Sequence, residues 1–257
     1  MKMIALFLLV VAGIQPAMAQ PGSVAKKIGS TTVTFVSQCA KKQPGISWVH
    51  VHENENTAIV AAKAIIDSAG IGCYTTWKHN GDRYVSYQLQ GKQYKFDPNR
   101  IYTSKGLEAT LKANGAFSKQ GFKAAQQLSH FFIGKYVDGN KLIVALHNNS
   151  DGGGLTIKGY LPGGEYANDA AEVNVNEAED IDDFFYTTSK PIYDYLKAKG
   201  FNILLQNNAT VTDDGSLSVY CGYKGMDYLN IEAQVGHLQE QKRMMLAVYE
   251  MIGKMYP

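Results

Sequence analysis

Two histidines and two glutamates stand within six residues in the segment VHVHENE, at His50, His52, Glu53 and Glu55. The segment follows a β-rich run and precedes an apolar helical pattern, so it occupies a strand-to-helix junction. Imidazole and carboxylate groups are common ligands of Zn²⁺, and one turn can bring both ends of an H-x-x-E pair onto a single cation. Two such pairs overlap here, and a helix cap or a solvated face would also explain these residues.

Three later segments also carry polar side chains beside apolar runs. DPNR follows a strand-like run at 97–100, His147 ends the apolar run KLIVALH, and Glu232 interrupts the apolar run DYLNIEAQ. A carboxylate is rarely buried without a partner or a task, so Glu232 is unusual for a core strand. A surface glutamate on an edge strand is the alternative.

These motifs together resemble those of the zinc carboxypeptidase family and its desuccinylase and aspartoacylase relatives. That family typically shows H-x-x-E after a strand, then D-x-N-R, a histidine ending a buried strand, and a glutamate inside a strand near the C-terminus. The similar segments stand in the same order here and span most of the chain: HENE at 52–55, DPNR at 97–100, LH at 146–147 and IEA at 231–233.

The resemblance implies a zinc ion held by His52, Glu55 and His147. His50 then becomes a neighbouring or core histidine, although an H-x-H pair of His50 and His52 remains an alternative. Glu53 stands where relatives often have glycine, a departure that affects the expected pocket wall.

The resemblance also implies roles around the metal. Glu232 would be the general base and later the proton donor, and Asn99 with Arg100 would bind a substrate carboxylate, for which the guanidinium fork is suited. A salt bridge from Arg100 to Asp97 or another local acid is the alternative. Arg83, expected on a strand, could polarise the scissile carbonyl or be a solvated residue.

A tyrosine that closes over bound substrate could be Tyr220 or Tyr223. The chain contains 16 tyrosines, so closeness in sequence to Glu232 selects neither of the two.

Alternating strand and helix patterns must position these residues. Strands are predicted in TTVTFVS, ISWVHVH, GCYTTWKH, KLIVALH, FNILLQ and DYLNIEAQ, with a hairpin turning near Gly91. Helices are predicted from Thr57 to Gly70, in one or two pieces across 104–137, through SKPIYDYLKAKG, and at the C-terminus. The pattern predicts one α/β domain over 20–257, with a central mixed, mostly parallel sheet, helices on both faces, and the site at the carboxyl ends of the central strands.

The N-terminus predicts export. Lys2, an apolar run from 4 to 14 and the A-x-A pattern ending at Ala19 are typical of a secretory signal over 1–19, which places the mature chain in the periplasm or outside the cell. The run is too short for a membrane span, and the formal charge of +2 with no basic run argues against nucleic-acid binding. In an oxidising compartment two of Cys39, Cys73 and Cys221 could pair, and the sequence does not decide which.

The expected function is therefore that of an exported zinc-dependent hydrolase that cleaves an amide bond next to a free carboxylate. A metallocarboxypeptidase that trims peptides or peptidoglycan is the first form of this hypothesis, and an N-acyl amino acid deacylase is the second. An exported binding protein that keeps the fold without catalysis is an alternative of another class. The sequence leaves the oligomeric state open.

Overall fold

The computed structural model describes residues 22–39, 45–69, 72–152 and 155–257. The predicted signal segment, 1–19, lies outside these residues, as does Gly70, where the first helix is expected to end. None of the helices in the described ranges has the length and apolar character needed to cross a membrane.

The described residues form eleven β-strands and six α-helices. The strands are β1 (Gly22–Ile28), β2 (Thr31–Cys39), β3 (Ile46–His50), β4 (Cys73–Lys78), β5 (Val85–Leu89), β6 (Lys92–Phe96), β7 (Leu142–Asn149), β8 (Ala170–Asn174), β9 (Phe184–Thr187), β10 (Ile203–Gln206) and β11 (Asp227–Gln234). The helices are α1 (Asn56–Ala69), α2 (Ser104–Asn114), α3 (Lys119–Phe132), α4 (Lys190–Ala198), α5 (Leu217–Lys224) and α6 (Leu238–Met255).

Nine strands form one mixed sheet in the order β1-β2-β4-β3-β7-β11-β9-β10-β8. The central strands β4, β3, β7 and β11 run parallel to one another. β2 pairs antiparallel with β4 and β9 antiparallel with β11, whereas β10 is parallel to β9. The hairpin of β5 and β6 is a separate two-stranded sheet. Because parallel strands end at the same edge, the residues that follow β3 meet those at the ends of β7 and β11.

Helices cover both faces of this sheet, as the sequence predicts. Helices α1, α4 and α6 pack against one face, and α2, α3 and α5 against the other. Along β7 the side chains alternate between the two cores, with Leu142, Val144 and Leu146 under the first group of helices and Ile143 and Ala145 under the second. A strand buried on both faces reads as a continuous apolar run, which explains KLIVAL.

Most of the long apolar elements are predicted correctly, whereas several short or polar elements are not. The hairpin turn at Gly91 and the break between α2 and α3 lie where expected. Strands β1, β8 and β9 and helix α5 are additional to the prediction. β1 and β8 are the outermost strands of the sheet, so their sequences GSVAKKI and AAEVN expose polar side chains and lack an apolar run.

A disulfide links Cys39 and Cys73. The two residues pair directly across the adjacent strands β2 and β4, so the bridge fastens the end of one strand to the start of the other. Cys221 is free and buried in α5. The pairing that the sequence leaves open is therefore Cys39 with Cys73.

Candidate functional site

His52, Glu55 and His147 converge on one point at the carboxyl edge of the central strands. Each is buried, and one potential ligand atom from each lies within 4.8 Å of the others. The Glu55 N–H donates to the carbonyl oxygen of His52 (3.1 Å), and this turn after β3 brings both side chains to one side before α1 begins. His147 comes from β7, the neighbouring strand.

The donor set fits a zinc ion. His52 Nδ1 lies 2.7 Å from Glu55 Oε1 and 3.1 Å from His147 Nδ1, and His147 Nδ1 lies 3.1 Å from Glu55 Oε2. Two imidazole nitrogens this close to each other and to a carboxylate require a shared proton or a cation. Two histidines and one glutamate are a ligand set of catalytic zinc sites, which leave a fourth position for water or substrate.

Asp97 contacts the other nitrogen of His52. His52 Nε2 donates to Asp97 Oδ1 at 2.7 Å, which directs Nδ1 toward Glu55 and His147. Such a carboxylate behind a ligating histidine fixes the orientation of the ring and raises its basicity. The sequence shows Asp97 only as the first residue of a motif and does not reveal this contact.

In the metal-free chain, the charges of neighbouring side chains determine the protonation of His52 and Asp97. Burial lowers the pKa of His52, but the neighbouring carboxylates of Glu55 and Asp97 outweigh burial and raise it to about 9. Burial likewise opposes ionisation of Asp97, whereas the hydrogen bond and charge of His52 and the charge of Arg83 hold its pKa well below the ordinary value. A metal that binds here must therefore displace a proton from His52.

Arg83 lies beside the ligand group but not on a strand. It occupies the loop 79–84 between β4 and β5, because pairing with β6 starts only at Val85. Its guanidinium contacts Glu55 Oε1 at 2.9 Å and Asp97 Oδ2 at 3.3 Å. Arg83 therefore lies beside the candidate metal ligands, with its charge directed at two carboxylates.

Glu232 is a buried residue of a central strand, so the edge-strand alternative is wrong. It lies directly opposite His147 in the parallel pairing of β11 with β7 and is 7% exposed. Asn230 Nδ2 donates to Glu232 Oε1 at 2.9 Å. Burial raises the pKa of Glu232 above its ordinary value, although the nearby His147 opposes this shift. A buried carboxylate beside the candidate metal ligands is placed to accept and return a proton.

A cleft of about 360 Å³ opens next to Glu232 and includes Asn99 and Arg100 in its wall. Arg100 Nε pairs with Asp214 Oδ2 at 3.3 Å, so the local-acid alternative is found, with Asp214 rather than Asp97 as the partner. The side-chain oxygen of Asn99 accepts the backbone N–H of Leu217 (3.2 Å). A substrate carboxylate that reaches Arg100 would have to share it with Asp214.

The two candidate tyrosines do not line this cleft. The hydroxyl of Tyr220 donates to Asp138 at 2.9 Å, and Tyr223 is 55% exposed. The tyrosines that line the cleft are Tyr160, Tyr166, Tyr186 and Tyr228.

His50 belongs to the core and stands apart from the ligand group. It is fully buried, its Nδ1 lies 3.3 Å from Thr76 Oγ1, and burial lowers its pKa to about 3, so it is neutral. The structure places His50 in the role of a core histidine and does not form an H-x-H site.

No family model and no curated protein sequence matches the chain. Solved structures that align with it include an aspartoacylase-family protein from Mesorhizobium loti, 10% identical, with a TM-score of 0.43 over 93% of this chain and 68% of that protein. A metallo-carboxypeptidase from Burkholderia cenocepacia is 9% identical, with a TM-score of 0.47 over 90% of this chain and 65% of that protein. The murein-tripeptide amidase MpaA from Escherichia coli O157 is 10% identical, with a TM-score of 0.46 over 96% of this chain and 97% of that protein.

The structures that align are thus an aspartoacylase-family protein, a metallo-carboxypeptidase and an amidase, and the first two are of the kinds that the four sequence motifs also resemble. At this identity the likeness concerns the fold alone.

Proposed function

We propose that this chain is an exported zinc-dependent hydrolase that cleaves an amide bond next to a free carboxylate, in a small peptide or an N-acyl amino acid. The observation that carries the proposal is the convergence of His52, Glu55 and His147 with Glu232, which lies opposite His147 on the adjacent strand. A metal ligand set without a base would fit a structural or storage site. A buried carboxylate beside an open cleft adds what hydrolysis requires.

A zinc ion held by the three ligands would supply Lewis acidity, which activates water and polarises a carbonyl group. Glu232 would accept the proton of the attacking water and pass it to the leaving nitrogen. Asp97 holds His52 in the ligating orientation, and Arg100 in the cleft wall would receive the substrate carboxylate. The predicted signal segment supports export.

The experiment compares Glu232→Gln with wild type on a panel of free-carboxylate peptides and N-acyl amino acids. Glutamine keeps the shape and can still accept the Asn230 hydrogen bond, so zinc content should hold while kcat falls by about 10²–10⁴-fold, the usual contribution of a general base. Glu108→Gln, on the exposed surface of α2, is the matched control and should change neither quantity.

Three outcomes would contradict the proposal. Loss of zinc in Glu232→Gln would make Glu232 a ligand. Absence of any first-row metal after zinc loading of the wild type would remove the metal site. A wild type that binds zinc but hydrolyses no member of the panel would favour the binding-protein hypothesis.

A further inference from the structure

Glu53 stands inside the HENE motif between the two ligands, yet its side chain leaves the metal site. Its Oε2 accepts three consecutive backbone N–H groups, from His79 at 2.7 Å, Asn80 at 3.1 Å and Gly81 at 2.9 Å. Its Oε1 pairs with Lys78 Nζ at 3.4 Å. Successive backbone N–H groups that converge on one anion form a nest, a built anion site rather than a chance contact.

The three N–H groups belong to the loop that carries Arg83. This loop, 79–84, has no helix or strand of its own, and Asn80, Gly81 and Asp82 are exposed. Arg83 nevertheless reaches inward to Glu55 Oε1 and Asp97 Oδ2, the carboxylates that also hold His52. A loop with so little regular structure needs an anchor if it is to hold a guanidinium at a fixed distance.

We propose that Glu53 is a positioning residue, which fixes the loop 79–84 through its backbone and thereby holds Arg83 against Glu55 at the metal site. The expected effect of Glu53 on catalysis rests on the proposed metal-dependent function. Its expected effect on the loop rests on the contacts alone. The short motif then does two things at once. His52 and Glu55 would supply metal ligands, while Glu53 holds Arg83 where its positive charge faces Glu55.

The first test needs neither metal nor substrate. In Glu53→Gln the side chain keeps its size but loses the charge that the three N–H groups share, so amide hydrogen exchange in 79–82 should accelerate by about tenfold or more. Lys78→Met is the matched control, because it removes the other partner of the same carboxylate and leaves the nest intact. Exchange in the control should match the wild type.

The second test asks whether the effect passes through Arg83. Glu53→Gln should change the zinc dissociation constant and lower kcat/KM by about 10–100-fold in the wild-type background, the range for groups that contact metal ligands. In the Arg83→Ala background the same change should have almost no further effect, because the positioned group is already absent. A merely structural loss of stability would act equally in both backgrounds.

Several results would overturn the proposal. Unchanged exchange in Glu53→Gln would show that the loop does not depend on the carboxylate. Equal changes in zinc affinity in both backgrounds would show that Glu53 acts other than through Arg83. If the wild type binds zinc but hydrolyses nothing, the proposed function fails, while the exchange and zinc-affinity comparisons still decide the role of Glu53.

Discussion

The contact between His52 and Asp97 makes a quantitative prediction about zinc affinity. Asp97 Oδ1 accepts His52 Nε2 at 2.7 Å and the backbone N–H of Asn99 at 2.8 Å, while Oδ2 faces Arg83 at 3.3 Å. Asp97→Asn keeps an oxygen for His52 and Asn99, but removes the charge and presents an amide donor to the guanidinium of Arg83. Both His52 and Asp97 are buried, so bulk water does not replace what is lost.

The magnitude follows from the kinds of bond involved. A hydrogen bond to a charged group contributes about 1.5–3 kcal/mol and a neutral one about 0.5–1.5 kcal/mol, so the loss of charge alone costs roughly 1–1.5 kcal/mol. That corresponds to about tenfold in the zinc dissociation constant, and the unfavourable contact with Arg83 adds to it. The expected weakening is therefore about 10–100-fold, which agrees with the general range for residues that support a ligating histidine.

The measurement is a competition titration of metal-free protein against a chromophoric zinc chelator at neutral pH. Thr110→Val is the control, since Thr110 Oγ1 accepts the backbone N–H of Asp97 (3.0 Å) and the change leaves the carboxylate untouched. The control should lose stability without losing zinc affinity. Wild-type affinity in Asp97→Asn would refute the reasoning, and a loss as complete as that in His52→Ala would make Asp97 a ligand.

Two further predictions concern the cleft and the base. Asp214→Asn frees Arg100 from a partly exposed ion pair worth about 0–1 kcal/mol, so a small carboxylate inhibitor should bind as tightly as to wild type or up to about fivefold more tightly; weaker inhibition would remove Arg100 from carboxylate binding. Burial raises the pKa of Glu232, so its favourable contribution to stability is complete below the unfolded-state pKa of about 4.3 and is lost as the pH rises through the folded-state value. Metal-free Glu232→Gln should therefore be more stable than wild type at pH 8, with the difference disappearing toward pH 4 in urea denaturation, and the reverse order would show that the fold favours the ionised carboxylate.

The candidate ligands could be predicted because each has a local signature in the chain. His52 and Glu55 stand three residues apart at a strand-to-helix junction, and His147 and Glu232 interrupt or end long apolar runs. These patterns can be recognised without knowledge of the fold, because a polar side chain in a buried strand is unusual unless it has a partner or a function. The apolar runs themselves predict the central strands for the same reason.

The supporting contacts could not be predicted, because they depend on which atoms face one another. The spacing of residues does not show that His52 Nε2 points to Asp97, nor that the side chain of Arg83 extends from its loop to Glu55. The cleft tyrosines pose the same problem. Tyr160 and Tyr186 come from the region between β7 and β10, far in sequence from Glu232, whereas Tyr228 lies four residues before it in β11. Closeness in sequence therefore does not distinguish the tyrosines that line the cleft from Tyr220 and Tyr223, which do not.

The placement of the base follows from sheet register and not from the motif around it. In β11, Leu229, Ile231 and Ala233 enter the core beneath α6, so Asn230 and Glu232 must face the cleft on the opposite side. Slipping the pairing of β11 with β7 by one residue would turn Glu232 into the aliphatic core and expose that apolar set, which is energetically prohibitive. The hydrophobic pattern of β11 thus fixes Glu232 opposite His147, and the chemistry of the site depends on the same burial that holds the sheet together.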